Sequence, residues 1–213
     1  VAEHTMGLIL SMSRRIHLSR DRVMGRVPSG TSLRGWEFRN KTLGIIGLGR
    51  IGSRVAEISR GFDVELIGYD HRSKEEELVE RVGRQHLLNQ SDIISLHIPL
   101  EDTYELNESD ITAMKDSALL INVSRPELVN ENTVIKQIRS DKLFGYALDG
   151  KINAREQAND LIEEGRIFET GHTAWYSNEV LDRGYNCFID NLIEMKKEQC
   201  GNLVTDSPRQ KKH

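Results

Sequence analysis

The chain has 213 residues, of which 38% are hydrophobic, and its formal net charge is -4 at pH 7. Its mean hydropathy is -0.49. Its pI is about 6.0, so it has no basic field of the kind that binds nucleic acid. No apolar run approaches the length of a membrane span, and the N-terminus lacks the layout of a signal peptide. We therefore expect one large domain, or one domain with appendages, and neither nucleic-acid nor membrane partners.

The two cysteines, Cys187 and Cys200, fall in one predicted helix. At about 1.5 Å per residue they would be roughly 20 Å apart, too far for a disulfide, which favours a reducing, cytoplasmic localisation. No H-E-x-x-H or C-x-x-C pattern occurs, so no metal site is expected. The polar segment 201–213 ends in Lys211-Lys212-His213 and is predicted to be a disordered tail.

In chain order, apolar residues at helical spacing predict one long helix over residues 1–24, and an irregular connection follows to Asn40. Strands are predicted at 42–47, 64–69, 92–98, 117–123, 143–148 and 166–170. Helices are predicted at 50–61, 74–82, 109–115, 130–140 and 177–199. This alternation predicts an α/β fold with a doubly wound parallel sheet of Rossmann type, with its core at 42–174.

The most informative segment is the apolar run from Thr42 that leads into G-x-G-x-x-G. Such a run is typical of a buried parallel strand, and a helix is predicted to start directly after it. Gly47 would allow the tight turn, Gly49 would let a pyrophosphate approach the backbone, and Gly52 would let the helix pack against the sheet. The N–H groups at the helix start would favour the phosphate charge.

The second predicted strand ends in Asp70, which lies 18 residues after Gly52. A carboxylate at about this distance accepts hydrogen bonds from the ribose hydroxyls of a dinucleotide. His71 and Arg72 follow directly and could instead contact the 2′-phosphate of NADP, although Asp70 would repel that phosphate. The order of strand, glycines, helix, strand and acid therefore predicts a dinucleotide site with a preference for NAD.

An arginine and a histidine follow predicted strands at the edge where doubly wound sheets bind ligands, namely Arg125 and His172. The arginine could hold a carboxylate in a bidentate fork, and the histidine could transfer a proton. An arginine at a strand end is more often a solvated surface charge, and a lone histidine is more often a structural hydrogen-bonding group. Position alone leaves both interpretations open.

Several blocks together closely resemble the NAD-binding domain of the D-isomer-specific 2-hydroxyacid dehydrogenases, from residue 1 to about 197. The blocks are Val1–His4, Lys41–Gly52, Ser91–Leu100, Leu120–Arg125, Ala147–Asp149 and Gly171–Ala174. The first half looks like the phosphoglycerate dehydrogenase branch. The sequence from His172 to Ser177 looks more like the branch of the C-terminal-binding-protein corepressors.

The resemblance implies an NAD-dependent oxidoreductase that acts on a small 2-hydroxy or 2-oxo acid. It implies cofactor contacts from Gly47, Gly49, Arg50, Ile51, Gly52, Asp70, Pro99, Val123, Ser124 and Asp149. It also implies that Arg125 binds the substrate and that His172 is the acid/base. The NAD-binding domain would cover residues 1–200, with flanking helices at 1–24 and 177–199, and the full-length form would be a homodimer.

Three departures from the family pattern stand out. The family's catalytic carboxylate falls on Ala154, with Glu156 as the nearest acid in what looks like an altered loop, and Pro126 replaces the usual glycine after the catalytic arginine. The family's substrate domain is largely absent, so we expect a fragment or truncated copy. A non-catalytic module that binds or senses NAD, or a decayed duplicate, remains the alternative.

Overall fold

The computed structural model describes residues 1–71, 78–100 and 106–196. The described chain contains a seven-stranded sheet in which every strand pair is parallel, with strand order 3-2-1-4-5-6-7. The strands are β1 Thr42–Ile46, β2 Glu65–Tyr69, β3 Glu80–Arg81, β4 Ile93–Leu96, β5 Ala118–Asn122, β6 Leu143–Asp149 and β7 Ile167–Thr170. The order reverses between β1 and β4, which is the switch point where doubly wound sheets bind ligands. The predicted fold class is confirmed.

Two helices precede β1, namely α1 Ala2–Ser13 and α2 Ile16–Val23, and the crossover segments between strands supply the others. The crossover helices are α3 Arg50–Ser59, α4 Arg84–Gln90, α5 Glu108–Ala113, α6 Glu131–Arg139 and α7 Arg155–Glu163. Short 3-10 turns occupy Arg60–Phe62 and Pro126–Leu128. Helices on the crossovers cover the sheet, as parallel sheets require.

Two apolar clusters form the core, and the alternation of side chains along each strand separates them. All five residues of β5 are buried, as expected for a central parallel strand. Leu120 packs into one cluster, whereas Leu119 and Ile121 pack into the other. Since consecutive side chains of a strand point to opposite faces, the sheet is buried on both sides.

The predicted long helix over residues 1–24 is wrong, because the structure breaks it into α1 and α2. Arg15 adopts a left-handed conformation with φ 55° at the break. Its guanidinium donates to the carbonyl oxygen of Gly165 at 3.0 Å and lies 4.4 Å from the ring centroid of Phe144. These tertiary contacts offset the cost of the unfavourable φ, which helical spacing in the sequence could not reveal.

Three further elements differ from the sequence prediction. Of the helix predicted at 74–82, residues 74–77 lie outside the described residues, and Glu80–Arg81 form β3, which pairs with Ile67 and Gly68 of β2. The helices α4 and α7 were not predicted at all. Both are under ten residues long and bury only two residues each, so the sequence pattern gave little signal.

Residues Val1–Ala174 form one compact unit and Trp175–His213 form a second. The described part of the second unit contains α8, Asn178–Lys196, which corresponds to the helix predicted at 177–199. The predicted disordered tail at 201–213 lies outside the described residues.

Candidate functional site: a dinucleotide-binding edge of the sheet

In the loop between β1 and α3, a side chain on Gly47 or Gly52 would clash with the backbone, whereas Gly49 borders open space. Gly47 has φ +94°, and a Cβ added there would lie 2.5 Å from the carbonyl oxygen of His97. A Cβ on Gly52 would lie 1.9 Å from the carbonyl oxygen of Gly47. A Cβ on Gly49 would meet no atom within 4 Å, which leaves open space at that point of the loop.

The open space lies at the start of α3. Gly49 is the N-cap of this ten-residue helix and accepts a hydrogen bond from the N–H of Ser53. The three residues of the first turn, Arg50, Ile51 and Gly52, precede that first helical bond, so their N–H groups have no intrahelical acceptor. The arrangement fits a pyrophosphate, since the N–H groups and the helix dipole favour negative charge at this position.

Asp70 follows β2 directly and lies at the same edge of the sheet. Its Oδ2 accepts a hydrogen bond from the N–H of Leu48 at 2.7 Å, which ties the carboxylate to the glycine loop. The Nδ1 of His71 lies 3.7 Å from its Oδ1. A cleft continues from here, lined by Gly47, Gly49, Asp70, Arg81, Ile98 and Pro99. The acid and the glycine loop therefore line one cleft.

His97 borders this cleft as a neutral side chain. Burial lowers its pKa to about 3, and the Oγ of Ser95 lies 2.8 Å from its Nε2. Its Nδ1 is buried and has no hydrogen-bond partner among the described residues. A histidine with this pKa cannot carry a proton near pH 7, so His97 is a neutral packed side chain and not an acid/base.

The loop that carries Arg125 is held by one buried amide. Asn122, the last residue of β5, donates from Nδ2 to the carbonyl oxygen of Arg125 at 2.7 Å and to the hydroxyl of Tyr146 at 3.1 Å. Its Oδ1 accepts from the N–H of Ser124 at 2.9 Å, and the Ser124 hydroxyl donates to the carbonyl oxygen of Leu96 at 3.0 Å. These bonds fix the turn while the Arg125 side chain stays exposed.

Asp149 is the last residue of β6, and it holds the segment at the end of β7 through hydrogen bonds. It accepts from the Thr170 hydroxyl at 2.7 Å and from the N–H groups of Thr173 and Ala174 at 2.9 and 2.7 Å. Burial alone would raise the pKa of this carboxyl, but the hydrogen bonds from Thr170, Ala174 and Thr173 outweigh it and lower the pKa. His4 lies 3.6 Å from the same carboxylate. Asp149 is therefore a buried anion that fixes the segment carrying the candidate acid/base.

His172 sits in a strained turn directly after β7. Its φ is +57°, its N–H donates to the carbonyl oxygen of Thr170 at 2.9 Å, and its Nδ1 lies 3.4 Å from the carbonyl oxygen of Asp149. The side chain is exposed and lines a cleft with Lys151 and Glu169. A left-handed conformation in a non-glycine residue is uncommon and often marks a functional position.

The structure thus gathers the predicted residues along one edge, but not in one pocket. Arg125 follows β5 and His172 follows β7, with Asp149 at the end of β6 between them. Neighbouring strands are about 4.8 Å apart, so the ends of β5 and β7 are separated by about 10 Å. Val123 lies between Asn122 and Ser124 and packs partly against the core.

The segment around Ala154 is a helix start rather than an altered loop. Ala154 is the N-cap of α7, and Glu156 is an exposed residue of its first turn. Glu131 accepts from the N–H groups of Asn153 and Ala154 at 2.8 and 3.2 Å. Burial raises the pKa of Glu131 despite these two hydrogen bonds.

Sequence reasoning missed several residues that shape the site. They are His4, Arg81, Glu131, Tyr146, Glu169 and Thr170. Each of them contacts, through a hydrogen bond or an ion pair, a residue at least eleven positions away in the chain. Local spacing carries no signal for contacts of that kind, although Thr170 is the last residue of the strand predicted at 166–170.

The described ranges 1–71, 78–100 and 106–196 contain neither a candidate metal site nor a candidate membrane-spanning helix. No group of three or more His, Cys, Asp or Glu side chains could hold a metal ion there. No helix in those ranges is long and apolar enough to cross a membrane.

A parallel sheet with a glycine-rich turn at its switch point and an acid after the second strand defines a dinucleotide-binding domain of the Rossmann type. Comparison with known proteins specifies it further. Residues 6–174 match the family model described as "D-isomer specific 2-hydroxyacid dehydrogenase, NAD binding domain". The chain belongs to this family and matches its NAD-binding domain.

The chain is similar to curated relatives over most of its length. It is 33% identical to D-lactate dehydrogenase kk1H of Curvularia clavata, covering 92% of the chain and 62% of that relative. It is 31% identical to the D-lactate dehydrogenase of Escherichia coli, covering 95% of the chain and 68% of that relative. The chain thus spans about two thirds of the length of these relatives.

A solved structure agrees in fold. The D-lactate dehydrogenase of Aquifex aeolicus, complexed with NAD and lactic acid, matches with a TM-score of 0.81 and 30% identity over 93% of the chain and 66% of that structure. The family prediction is therefore confirmed. The likeness of the first half of the chain to the phosphoglycerate dehydrogenase branch, and of the segment from His172 to Ser177 to the corepressor branch, stays a prediction.

Proposed function

We propose that this chain is the cofactor-binding part of an enzyme that transfers a hydride between NAD and a D-2-hydroxy acid or 2-oxo acid. One observation carries the proposal. The glycine loop, Asp70, Arg125 and His172 all lie at the carboxyl edge of one parallel sheet, where such sheets bind ligands. Membership of the family supports the same activity.

The cofactor would lie along this edge from β2 to β6. The loop residues Gly47, Gly49, Arg50, Ile51 and Gly52 would hold the pyrophosphate, and Asp70 would accept from the adenine ribose. Pro99 would lie beside the adenine. Val123, Ser124 and Asp149 would lie on the nicotinamide side. The support for this order is the position of each residue at the end of its strand.

Arg125 and His172 would handle the substrate. The guanidinium of Arg125 presents parallel N–H donors that match a carboxylate, and its charge would polarise the neighbouring carbonyl. A proton on Nδ1 of His172 would point to the carbonyl oxygen of Asp149 and leave Nε2 to exchange a proton with the substrate oxygen. Bound NAD supplies the hydride acceptor, and NADH the donor.

Three further properties belong to this proposal. The cofactor-binding domain would comprise residues 1–200, including α1, α2 and α8 as flanking helices. The full-length protein would act as a homodimer, as the family resemblance implies. It would work in the cytoplasm, which agrees with the free thiol of Cys187 on α8.

The test is cofactor affinity in an Asp70→Ala variant, measured by isothermal titration calorimetry. Loss of a charge-assisted hydrogen bond costs about 1.5–3 kcal/mol, so NAD should bind roughly ten- to a hundredfold more weakly. Asp92→Ala is the matched control, because Asp92 also accepts a backbone N–H at 3.0 Å but lies at the opposite edge of the sheet. The control should bind NAD like the parent.

If the parent chain does not bind NAD, or if both variants lose affinity equally, the assignment of this edge as the cofactor site is wrong. If NAD binds as expected but the full-length protein oxidises no 2-hydroxy acid and reduces no 2-oxo acid, the chain is a non-catalytic NAD-binding module instead.

A further inference from the structure

A lysine lines the same cleft as the candidate acid/base. Lys151 lies just beyond the end of β6, and it shares a cleft of about 460 Å³ with Glu169, Thr170 and His172. This volume falls in the range of about 300–1,000 Å³ that small-molecule sites occupy. Lys151 has no task in the proposed hydride transfer, so its position beside His172 calls for another explanation.

Two hydrogen bonds fix the backbone directly after Lys151. The N–H of Ile152 donates to Oε1 of Glu169 at 2.8 Å, and the N–H of Asn153 donates to Oε2 of Glu131 at 2.8 Å. On the other side of the lysine, β6 ends after Asp149. The Cα of Lys151 is therefore held at the rim of the cleft, while the flexible four-carbon stem lets the ammonium adjust to a ligand.

The acids near Lys151 are already engaged. Glu169, which lines the same cleft, forms an ion pair with Arg155. Asp149 accepts three hydrogen bonds from the segment at the end of β7. In the part of the chain that the structure describes, the ammonium of Lys151 has no hydrogen bond or ion pair. Its positive charge is therefore available to an anion in the cleft.

The loop that carries Lys151 adjoins the loop that carries Arg125. A Cβ on Gly150 would lie 3.7 Å from Cγ of Pro126, the residue after Arg125. The strands that lead into these two loops, β5 and β6, are neighbours in the sheet. Arg125 would hold one carboxylate of the substrate, and a monocarboxylic acid would bring no second negative charge for Lys151.

We propose that Lys151 binds a second carboxylate of the substrate, so that the favoured substrates are 2-oxo and 2-hydroxy dicarboxylic acids. The proposal rests on the proposed function, because it needs Arg125 at the first carboxylate and His172 at the reacting oxygen. An ammonium and a carboxylate form a charge-assisted hydrogen bond, which is stronger than a neutral one. Lys151 is then a specificity residue, since it contacts the far end of the substrate and not the reacting atoms.

The experiment compares two acids of equal chain length that differ in the second carboxylate, 2-oxoglutarate and 2-oxopentanoate. Initial rates of NADH oxidation by the full-length protein give kcat/KM for the parent, Lys151→Gln and Lys151→Arg. The parent should prefer 2-oxoglutarate, and Lys151→Gln should reduce this preference roughly ten- to a hundredfold, mainly through KM, because one charge-assisted hydrogen bond is lost. Lys151→Arg should keep most of the preference, since it keeps the charge. Added salt should weaken the preference of the parent.

Lys142→Gln is the matched control, because Lys142 pairs with Asp116 at the opposite edge of the sheet. It should leave the preference unchanged. If the parent does not prefer 2-oxoglutarate, or if Lys151→Gln keeps the preference of the parent, the assignment of Lys151 is overturned. Reduction of either acid by NADH would still leave the proposed function intact.

Isothermal titration calorimetry of the same two acids with NAD-saturated protein separates binding from turnover, because an oxidised cofactor and an oxo acid cannot react. Tighter binding of 2-oxoglutarate that Lys151→Gln abolishes, without reduction of either acid by NADH, would support the carboxylate site and overturn the proposed activity. Absence of both binding and reduction would overturn both.

Discussion

Two glycines of one motif should respond to the same substitution in different ways, because their surroundings differ. A Cβ on Gly52 would lie 1.9 Å from the carbonyl oxygen of Gly47, about 1.5 Å closer than ordinary van der Waals contact. Because the obstacle is backbone, α3 and the loop would have to move apart. A Cβ on Gly49 meets nothing within 4 Å, and its φ of -78° suits any residue.

Gly49→Ala should therefore weaken NAD binding with little loss of stability, whereas Gly52→Ala should lower both. Gly52→Ala overpacks a buried position at a cost of about 1–3 kcal/mol, which lowers Tm by about 3–10 °C in a chain of this size. It should also weaken NAD, since the N–H groups at the start of α3 would be displaced. Gly49→Ala should change stability by less than about 1 kcal/mol but weaken NAD at least about tenfold, because its methyl would occupy the space left for the pyrophosphate.

Thermal melting followed by circular dichroism and NAD titration by calorimetry measure the two effects on the same samples. Gly61→Ala provides the matched control, since a Cβ there also meets no atom within 4 Å and Gly61 lies beyond the far end of α3. It should change neither quantity. The reasoning is refuted if Gly49→Ala binds NAD within about threefold of the parent, or if Gly52→Ala melts at the parent's temperature.

Two further predictions concern the ends of β5 and β6. Asn122→Ala removes three hydrogen bonds of a buried amide, so it should lower the unfolding free energy by about 2–4 kcal/mol and Tm by about 5–15 °C. Tyr146→Phe, which removes one of them, should cost about 1 kcal/mol; equal melting of Asn122→Ala and the parent would contradict this. The hydrogen bonds to Asp149 lower its pKa below the unfolded value, so its stabilising contribution is complete above about pH 5 and is lost as the pH falls through the folded-state pKa. Urea unfolding between pH 3 and 7 should show a shallower acid-side loss for Asp149→Asn, and identical slopes would contradict the assignment.

The site was predictable where its chemistry is local in sequence. The strand, the three glycines and the start of α3 lie within Thr42–Ser59, and Asp70 follows at a spacing that one βαβ unit fixes. In the same way Arg125 and His172 were found because parallel strands end at one edge of the sheet. Chain order and the strand pattern were sufficient for that inference.

Other features depend on contacts between distant segments. The helix breaks at Arg15, whose guanidinium donates to the carbonyl oxygen of Gly165 and lies over the ring of Phe144. Strand β3 forms because Glu80–Arg81 pair with β2. A two-residue strand has too few positions to show alternation. No periodicity in the sequence could predict either feature.

By itself, the sequence determined the class of fold and predicted the proposed cofactor site and the candidate catalytic pair. Each depends on short segments whose backbone geometry follows from their own residues. Only the tertiary structure decided how those groups are held. The amide of Asn122 reaches Tyr146, Asp149 gathers the chain after β7, and Arg81 comes beside Asp70 across a strand pair. Such contacts form when the sheet assembles, because they join residues that only strand pairing and side-chain packing bring within hydrogen-bond distance.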